Sequence, residues 1–172
     1  MRGWVRVGMV ALALAGRAGA LRAQEIPPPA LALVAGVAQY DLSGTGTEPF
    51  VGLRLDLPMA EFLYAEPGFG YMTYTSQGGE HVPHLSAEVQ VQGTLPLGRW
   101  RPYVGVGAGG FFDLRKQRGG GELVEPTFSG SGGVRASVVS DLGAHAELRV
   151  RGVGKSFAGT IAEWSAGLAW AF

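Results

Sequence analysis

Apolar residues recur at alternate positions through most of this chain, and the positions between them hold the charges. The pattern is clearest from His84 to Leu95. There Leu85, Ala87, Val89, Val91 and Leu95 alternate with Ser86, Glu88, Gln90, Gln92 and Thr94. The last twelve residues, Ile161 to Phe172, place Ala162, Trp164, Ala166, Leu168, Trp170 and Phe172 on one parity. Glu163, Ser165, Gly167, Ala169 and Ala171 fall on the other. Successive side chains of a strand point to opposite faces, so each stretch is a strand with one apolar face.

The same reading gives six further strands. Phe50 to Leu57 sets Val51, Leu53, Leu55 and Leu57 against Arg54 and Asp56, and Phe62 to Thr75 sets Leu63, Ala65, Phe69 and Tyr71 against Glu66. Trp100 to Leu114 opposes Trp100, Val104, Val106, Ala108 and Phe112 to Arg101, Gly105, Gly107, Gly109 and Asp113. Thr127 to Val138 opposes Phe128, Val134, Ala136 and Val138 to Ser129, Ser131 and Arg135. Ala144 to Gly152 opposes Ala144, Ala146, Leu148 and Val150 to His145, Glu147, Arg149 and Arg151. A first strand, roughly Leu31 to Leu42, has no register that the pattern decides, and it completes a set of eight.

A soluble antiparallel sandwich also alternates, with its apolar face turned inward. Length argues against it here. Most of these segments run about ten residues or more, as tilted membrane-spanning strands do, against the usual ~5–6. The charged parity is also rich in Gly, Ser and Ala, which suits the crowded inside of a narrow barrel. Short turns (Pro58 to Glu61, Pro96 to Arg99, Ser140 to Gly143) alternate with longer polar links (Ser43 to Glu48, Ser76 to Pro83, Lys116 to Pro126, Lys155 to Thr160). That asymmetry belongs to outer-membrane barrels, with short turns in the periplasm and longer loops outside. The expectation is an all-β, eight-stranded, antiparallel up-and-down transmembrane β-barrel with both chain ends periplasmic. Outward aromatics are expected in two bands, Trp100, Trp170 and Phe172 near the turns and Tyr71, Phe112, Phe128 and Trp164 near the loops.

The N-terminus changes the composition that matters. Arg2 and Arg6, an apolar run from Val7 to Ala15, and small residues at Ala18, Gly19, Ala20 and Ala23 form the layout of a secretory signal peptide. The run is too short to span a bilayer as a helix, which needs about 20 residues. Cleavage is expected after Ala23, with Ala20 as the alternative, so residues 1–23 are the leader and 24–172 the barrel. Loss of Arg2, Arg6, Arg17 and Arg22 leaves 10 basic against 14 acidic residues, a net charge of −4. Nothing in that balance favours a nucleic-acid partner. The absence of Cys excludes disulfides and thiolate metal sites.

The leader, the alternation Pro102-Tyr103-Val104-Gly105-Val106-Gly107-Ala108-Gly109 and the terminal Phe172 together resemble small outer-membrane barrels of the OmpA and OmpX type. The resemblance covers essentially the whole chain after the leader. It implies outer-membrane lipid as the surroundings and the barrel-assembly machinery as a partner. Trp164, Leu168, Trp170 and Phe172 match the alternate positions of the assembly signal. No peptidoglycan-binding domain is expected after the barrel, and none of the long outer loops that some members use for adhesion.

Chemistry, if present, is expected on the charged parity. Arg54, Arg101, Arg115, Arg135, Arg149 and Arg151 face Asp56, Glu66, Glu88, Asp113, Glu147 and Glu163, six of each sign. Eight strands leave an interior that side chains just fill, and charges taken from water must pair. The expectation is therefore a salt-bridged plug with a structural or surface-interaction role, and a narrow small-solute or ion channel is the alternative. Arg54 with Glu66, and Arg149 or Arg151 with Glu163, are the expected pairs across neighbouring strands. His84 and Ser86, at i and i+2 with Glu88 beyond, raise a second alternative. They resemble the His and Ser of the lipid A deacylases. Their parity turns them away from lipid, so no enzymatic activity is expected. His81, His84 and Glu80 match no closed metal site, and Gly119 to Gly121 lacks the Lys of a phosphate loop. No metal or cofactor is expected, and the sequence assigns no ligand to the outer loops.

Overall fold

A computed structural model describes residues 26–40, 46–75, 81–114, 124–154 and 159–172. Eight strands, and no helix, occur among them: β1 (Ala30–Tyr40), β2 (Gly46–Ala60), β3 (Leu63–Thr75), β4 (His81–Thr94), β5 (Trp100–Asp113), β6 (Val124–Val139), β7 (Leu142–Val153) and β8 (Gly159–Ala171). Each pairs antiparallel with its neighbours in sequence, and β8 closes on β1. The result is a closed up-and-down barrel, in which no strand edge is left unpaired. The expected signal peptide, Leu42, Glu80, Arg115 and Gly119 to Gly121 lie outside the described residues.

Seven strand registers agree with the alternation. Val51, Leu53, Phe69, Val89, Val91, Val104, Val106, Leu168 and Trp170 are exposed on the outer wall, while Arg54, Glu66, Glu88, Glu147 and Arg149 are buried inside. The first strand also has a definite register: Leu31, Leu33 and Val37 face out, and Ala32, Val34 and Ala38 are buried. Its pattern was silent because both of its faces are apolar.

Several strands run further than the alternation predicts. β2 begins at Gly46 and continues to Ala60, leaving Glu61 and Phe62 as the turn; β4 takes in His81 to Pro83, β6 takes in Val124 to Pro126, β7 takes in Leu142 and Gly143, and β8 takes in Thr160. The ladder needs only backbone groups, so it continues past the last patterned side chain. β8 is shorter at its end than the pattern suggests, closing at Ala171. The backbone N–H of Phe172 donates to the Pro29 carbonyl at 3.1 Å. Of the three turns, Pro96 to Arg99 comes nearest to the predicted extent, Leu95 leaving β4 to join it. It is closed by reciprocal bonds between Leu97 and Trp100 and by Gly98 at φ 65°, a conformation that favours glycine.

The aromatic bands are partly as expected. Trp100, Trp170 and Phe172 are exposed towards the turn end, and Tyr71, Phe128 and Trp164 towards the loop end. Phe112 is only half exposed, and Phe69 stands outward near the middle of β3, between the bands.

Candidate functional site

Among the described residues the lumen collects the polar chemistry, and its glycines make room for it. A Cβ on Gly107 would lie 2.6 Å from Gln90 Cγ and 2.8 Å from Glu88 Oε1. The glycines of β5 thus admit the long side chains of β4, as the alternation Gly105, Gly107, Gly109 implies.

Four arginines and five carboxylates form one network. Arg151 grips Glu163 with two N–H groups at 3.0 and 3.2 Å and reaches Glu88 at 2.9 Å. Arg149 donates to Glu147 at 2.9 Å, Glu88 at 3.0 Å and Glu66 at 2.8 Å. Arg54 donates to Glu147 at 2.9 Å. Arg135 holds Asp56 with two bonds of 3.0 Å, adds Glu66 at 3.0 Å, and also donates to Gln92. Its guanidinium lies over the Tyr103 ring at 4.3 Å, and the Tyr103 hydroxyl donates to Glu147 at 2.8 Å. Gln90, Gln92, Ser129 and Ser131 extend the network along the wall.

Two of these contacts join strands that face each other across the ring. Arg149 on β7 meets Glu66 on β3, and Arg135 on β6 meets Asp56 on β2. The sequence pointed to pairs on neighbouring strands. Arg151 with Glu163 is such a pair, and Arg54 with Glu66 is a longer one at 3.9 Å, Arg54 being closer to Glu147 at 2.9 Å. Arg149 and Glu163 are direct partners in register, yet Arg149 turns across the lumen instead. Long guanidinium stems reach the opposite wall, and strand order alone does not show how far the barrel's stagger lets them.

Arg101 stands apart. It is half buried at the turn end and donates to the Tyr64 hydroxyl at 2.7 Å. Asp113 is half buried at the loop end, on the strand position directly opposite His84.

The upper lumen is mainly apolar, in contrast to the single polar interior that the sequence suggested. Val34, Ala38, Tyr40, Phe50, Met72, Phe111, Val153 and Ile161 form one buried apolar cluster towards the loops. All lie on inward parity, and most of the assigned charges fall below them. Where this cluster meets the charged network, the remaining cavity is about 20 Å³, lined by Val34, Met72, Arg54, Glu88 and Arg151 among others. A single water needs roughly 10–15 Å³.

His84 and Ser86 enter the lumen near this cluster. The His84 ring stacks on Phe111 at 4.7 Å, and its Nδ1 lies 3.0 Å from the Val82 carbonyl. The Ser86 hydroxyl donates to the Gly70 carbonyl at 3.4 Å. Glu88 accepts from Arg149, Arg151, Gln90 and Ser129. No group of three or more metal-ligating side chains occurs among the described residues. Trp164, Leu168, Trp170 and Phe172, the residues matched to the assembly signal, are all exposed on the outer surface.

No protein-family model matches the chain, and no curated protein matches it. Solved structures do. Neisserial surface protein A superposes with a TM-score of 0.68 at 15% identity, covering 84% of this chain and 97% of that one. Ail, the attachment invasion locus protein of Yersinia pestis, gives 0.57 at 10% identity, covering 86% and 100%. The N-terminal barrel domain of Pseudomonas aeruginosa OprF gives 0.52 at 15% identity, covering 83% and 97%. The chain has the fold of the small eight-stranded outer-membrane barrels, in line with the resemblance read from its sequence.

Proposed function

We propose that this chain is an integral outer-membrane barrel with a structural or surface-interaction role, its interior closed by paired charges below and apolar packing above. The observation that carries this reading is the contact between guanidinium and carboxylate groups from opposite walls, at 2.8 and 3.0 Å. Eight strands enclose little more than side-chain volume, and bonds across the full width leave no continuous path at those levels. The apolar outer wall matches a lipid surrounding, since a closed barrel satisfies its backbone without water. Short turns on the side of both chain ends support periplasmic termini. The exposed alternation of Trp164, Leu168, Trp170 and Phe172 on the closing strand supports recognition by the barrel-assembly machinery.

The surface-interaction part rests on the loop end and on the neighbours. One is named a surface protein, and Ail was crystallised with the heparin analogue sucrose octasulfate. The chain is proposed to be no enzyme: Ser86 and His84 each face a backbone carbonyl, and Glu88 is committed to two arginines.

Ion conductance of the refolded protein in a planar bilayer tests the closed lumen. No steps are expected from protein whose folding is established by heat-dependent gel migration. Steady steps that change on neutralising Glu88 or Arg149 would establish the channel reading instead. Altered lipid A on expression, lost in Ser86→Ala, would establish the enzyme.

A further inference from the structure

Bulky apolar side chains do not end with the lipid-facing wall but continue around the turns below it. Met59 and Phe62 stand at the β2–β3 turn, Leu97 at the β4–β5 turn, Val138 and Val139 at the β6–β7 turn, and Ile26 ahead of β1; all are exposed. Chain reversals take Gly, Pro, Asn, Asp and Ser for their backbone, and Pro96, Gly98 and Asp141 serve here. Nothing in that chemistry calls for Met, Phe or Leu beside them. Met59 and Val138 also sit at register shifts, between Pro58 and Ala60 and between Ser137 and Val139. A bulge re-aims a side chain, and these two leave large apolar ones 63% and 57% exposed.

The turns form one rim, not three separate tips. The backbone N–H of Thr94 donates to the Phe62 carbonyl at 2.9 Å, Ser137 to Arg99 at 3.0 Å, Ala171 to Asp141 at 2.8 Å and Phe172 to Pro29 at 3.1 Å. Each turn is thus bonded to a neighbouring strand end, and the exposed apolar groups lie on a connected band. A single exposed leucine needs no explanation, whereas a connected apolar band marks a contact surface. The band is continuous with the lipid-facing wall through Leu63, Leu95, Trp100 and Trp170, all exposed at the same end of the barrel.

Charge identifies what covers it. The described charged side chains of the turns are Glu61, Arg99 and Asp141. The Arg99 guanidinium lies 5.2 Å from the Trp100 ring centre, and both residues are exposed. An indole against hydrocarbon with a long-stemmed cation beside it suits a membrane–water interface, where the ring sits at headgroup level and the cation reaches lipid phosphate.

We infer that the turn-end rim is immersed in inner-leaflet phospholipid, its apolar band where acyl chains meet headgroups and Arg99 against a headgroup phosphate. This rests on the outer-membrane reading above, with the turns on the periplasmic side. It makes the turns part of the lipid interface, not a docking face for a soluble protein.

The chain has no cysteine, so Leu97→Cys carries a single nitrobenzoxadiazole probe. The labelled protein is refolded into vesicles of phosphatidylcholine and phosphatidylglycerol that contain lipid with a nitroxide near the headgroup or near the methyl end. Val89→Cys, on the outer wall of β4, carries the reference probe. The Leu97 probe is expected to be quenched chiefly by the shallow nitroxide and poorly by aqueous iodide, and the Val89 probe chiefly by the deep nitroxide. Adding Arg99→Gln to Leu97→Cys should raise iodide quenching about twofold, and Arg99→Lys should not. Iodide quenching at Leu97 equal to that of the urea-unfolded chain would place the rim in water and overturn the proposal. Weak quenching by iodide and nitroxide alike would also overturn it, because a second copy then covers the rim. Arg99→Gln without effect would remove the phosphate contact. A Val89 probe that no nitroxide quenches would instead overturn the outer-membrane reading, so the two failures are distinct.

Discussion

The two levels of the lumen solve one packing problem by opposite means. Below, Arg54, Arg135, Arg149 and Arg151 are bound to Asp56, Glu66, Glu88, Glu147 and Glu163, each contact fixed in direction as well as distance. Above, Val34, Phe50, Met72, Phe111, Val153 and Ile161 fill the same bore by volume alone. The difference teaches where the barrel is brittle. A directional network loses a partner at every bond when one member goes, and the partner left behind is a buried charge. An apolar cluster loses only contact and gains a void. The sharpest ways to break the comparison are single changes of matched size at the two levels.

Arg149→Met should have the largest effect. It removes the cation shared by Glu66, Glu88 and Glu147 and leaves each of them one close arginine, Arg135, Arg151 and Arg54 respectively. Breaking a buried pair costs about 3–5 kcal/mol, so the denaturant midpoint of the refolded protein in micelles should fall steeply. Met72→Ala is the counterpart above. Met72 is 1% exposed, and such truncations cost about 2–5 kcal/mol according to how far the site collapses. A midpoint for Arg149→Met equal to or above that of Met72→Ala would mean that the lower network contributes no more than packing.

How much of this was legible in the sequence depended on what each residue's parity exposed. β4 could be read outright, because Leu85 to Thr94 puts one kind of side chain on each face. β1 could not. Leu33 and Val34 are both apolar, one facing out and one in, and only pairing with β2 and β8 separates them. The apolar upper level was present on the inward parity at Phe50, Met72 and Phe111, yet nothing in the order of residues says that these meet. Their heights are set by the stagger of the barrel, as are those of Arg149 and Glu66. Periodicity reports a face, and contacts across the bore need the register of every strand between. His145 shows the same limit. Its basic row with Arg101 and Arg135 exists only through the pairings of β5, β6 and β7.

The outer wall gives the third effect. Val89 is exposed on the outer face of β4, and Arg there should hinder assembly into lipid by about 2–4 kcal/mol if the site is near mid-membrane. Its inward neighbour Gln90 is no neutral reference for the same change: it is fully buried and donates to Glu88 and Ser129 while accepting from Gln92 and Ser131. Overfilling a packed site costs about 1–3 kcal/mol. Val89→Leu is the better reference, expected to insert like the parent. Vesicle insertion yields of Val89→Arg, Gln90→Arg and Val89→Leu measured together should rank in that order, lowest first, and equal yields for the first and last would place Val89 off the lipid face.

The smallest expected effect separates the two levels most cleanly. Ile161→Val removes one methylene from the upper cluster, where Ile161 is 3% exposed, and such changes cost about 0.5–1.5 kcal/mol. Glu147→Gln, below, alters almost no volume. It nevertheless removes the charge that accepts from Arg54, Arg149 and Tyr103. If the lumen is held by volume above and by charge below, the change that keeps shape should destabilise more than the change that loses it. Denaturant midpoints of the two variants measured side by side decide the matter. A Glu147→Gln midpoint equal to or above that of Ile161→Val would show that the lower level tolerates a neutral hydrogen-bond partner, and that packing governs both halves of the bore.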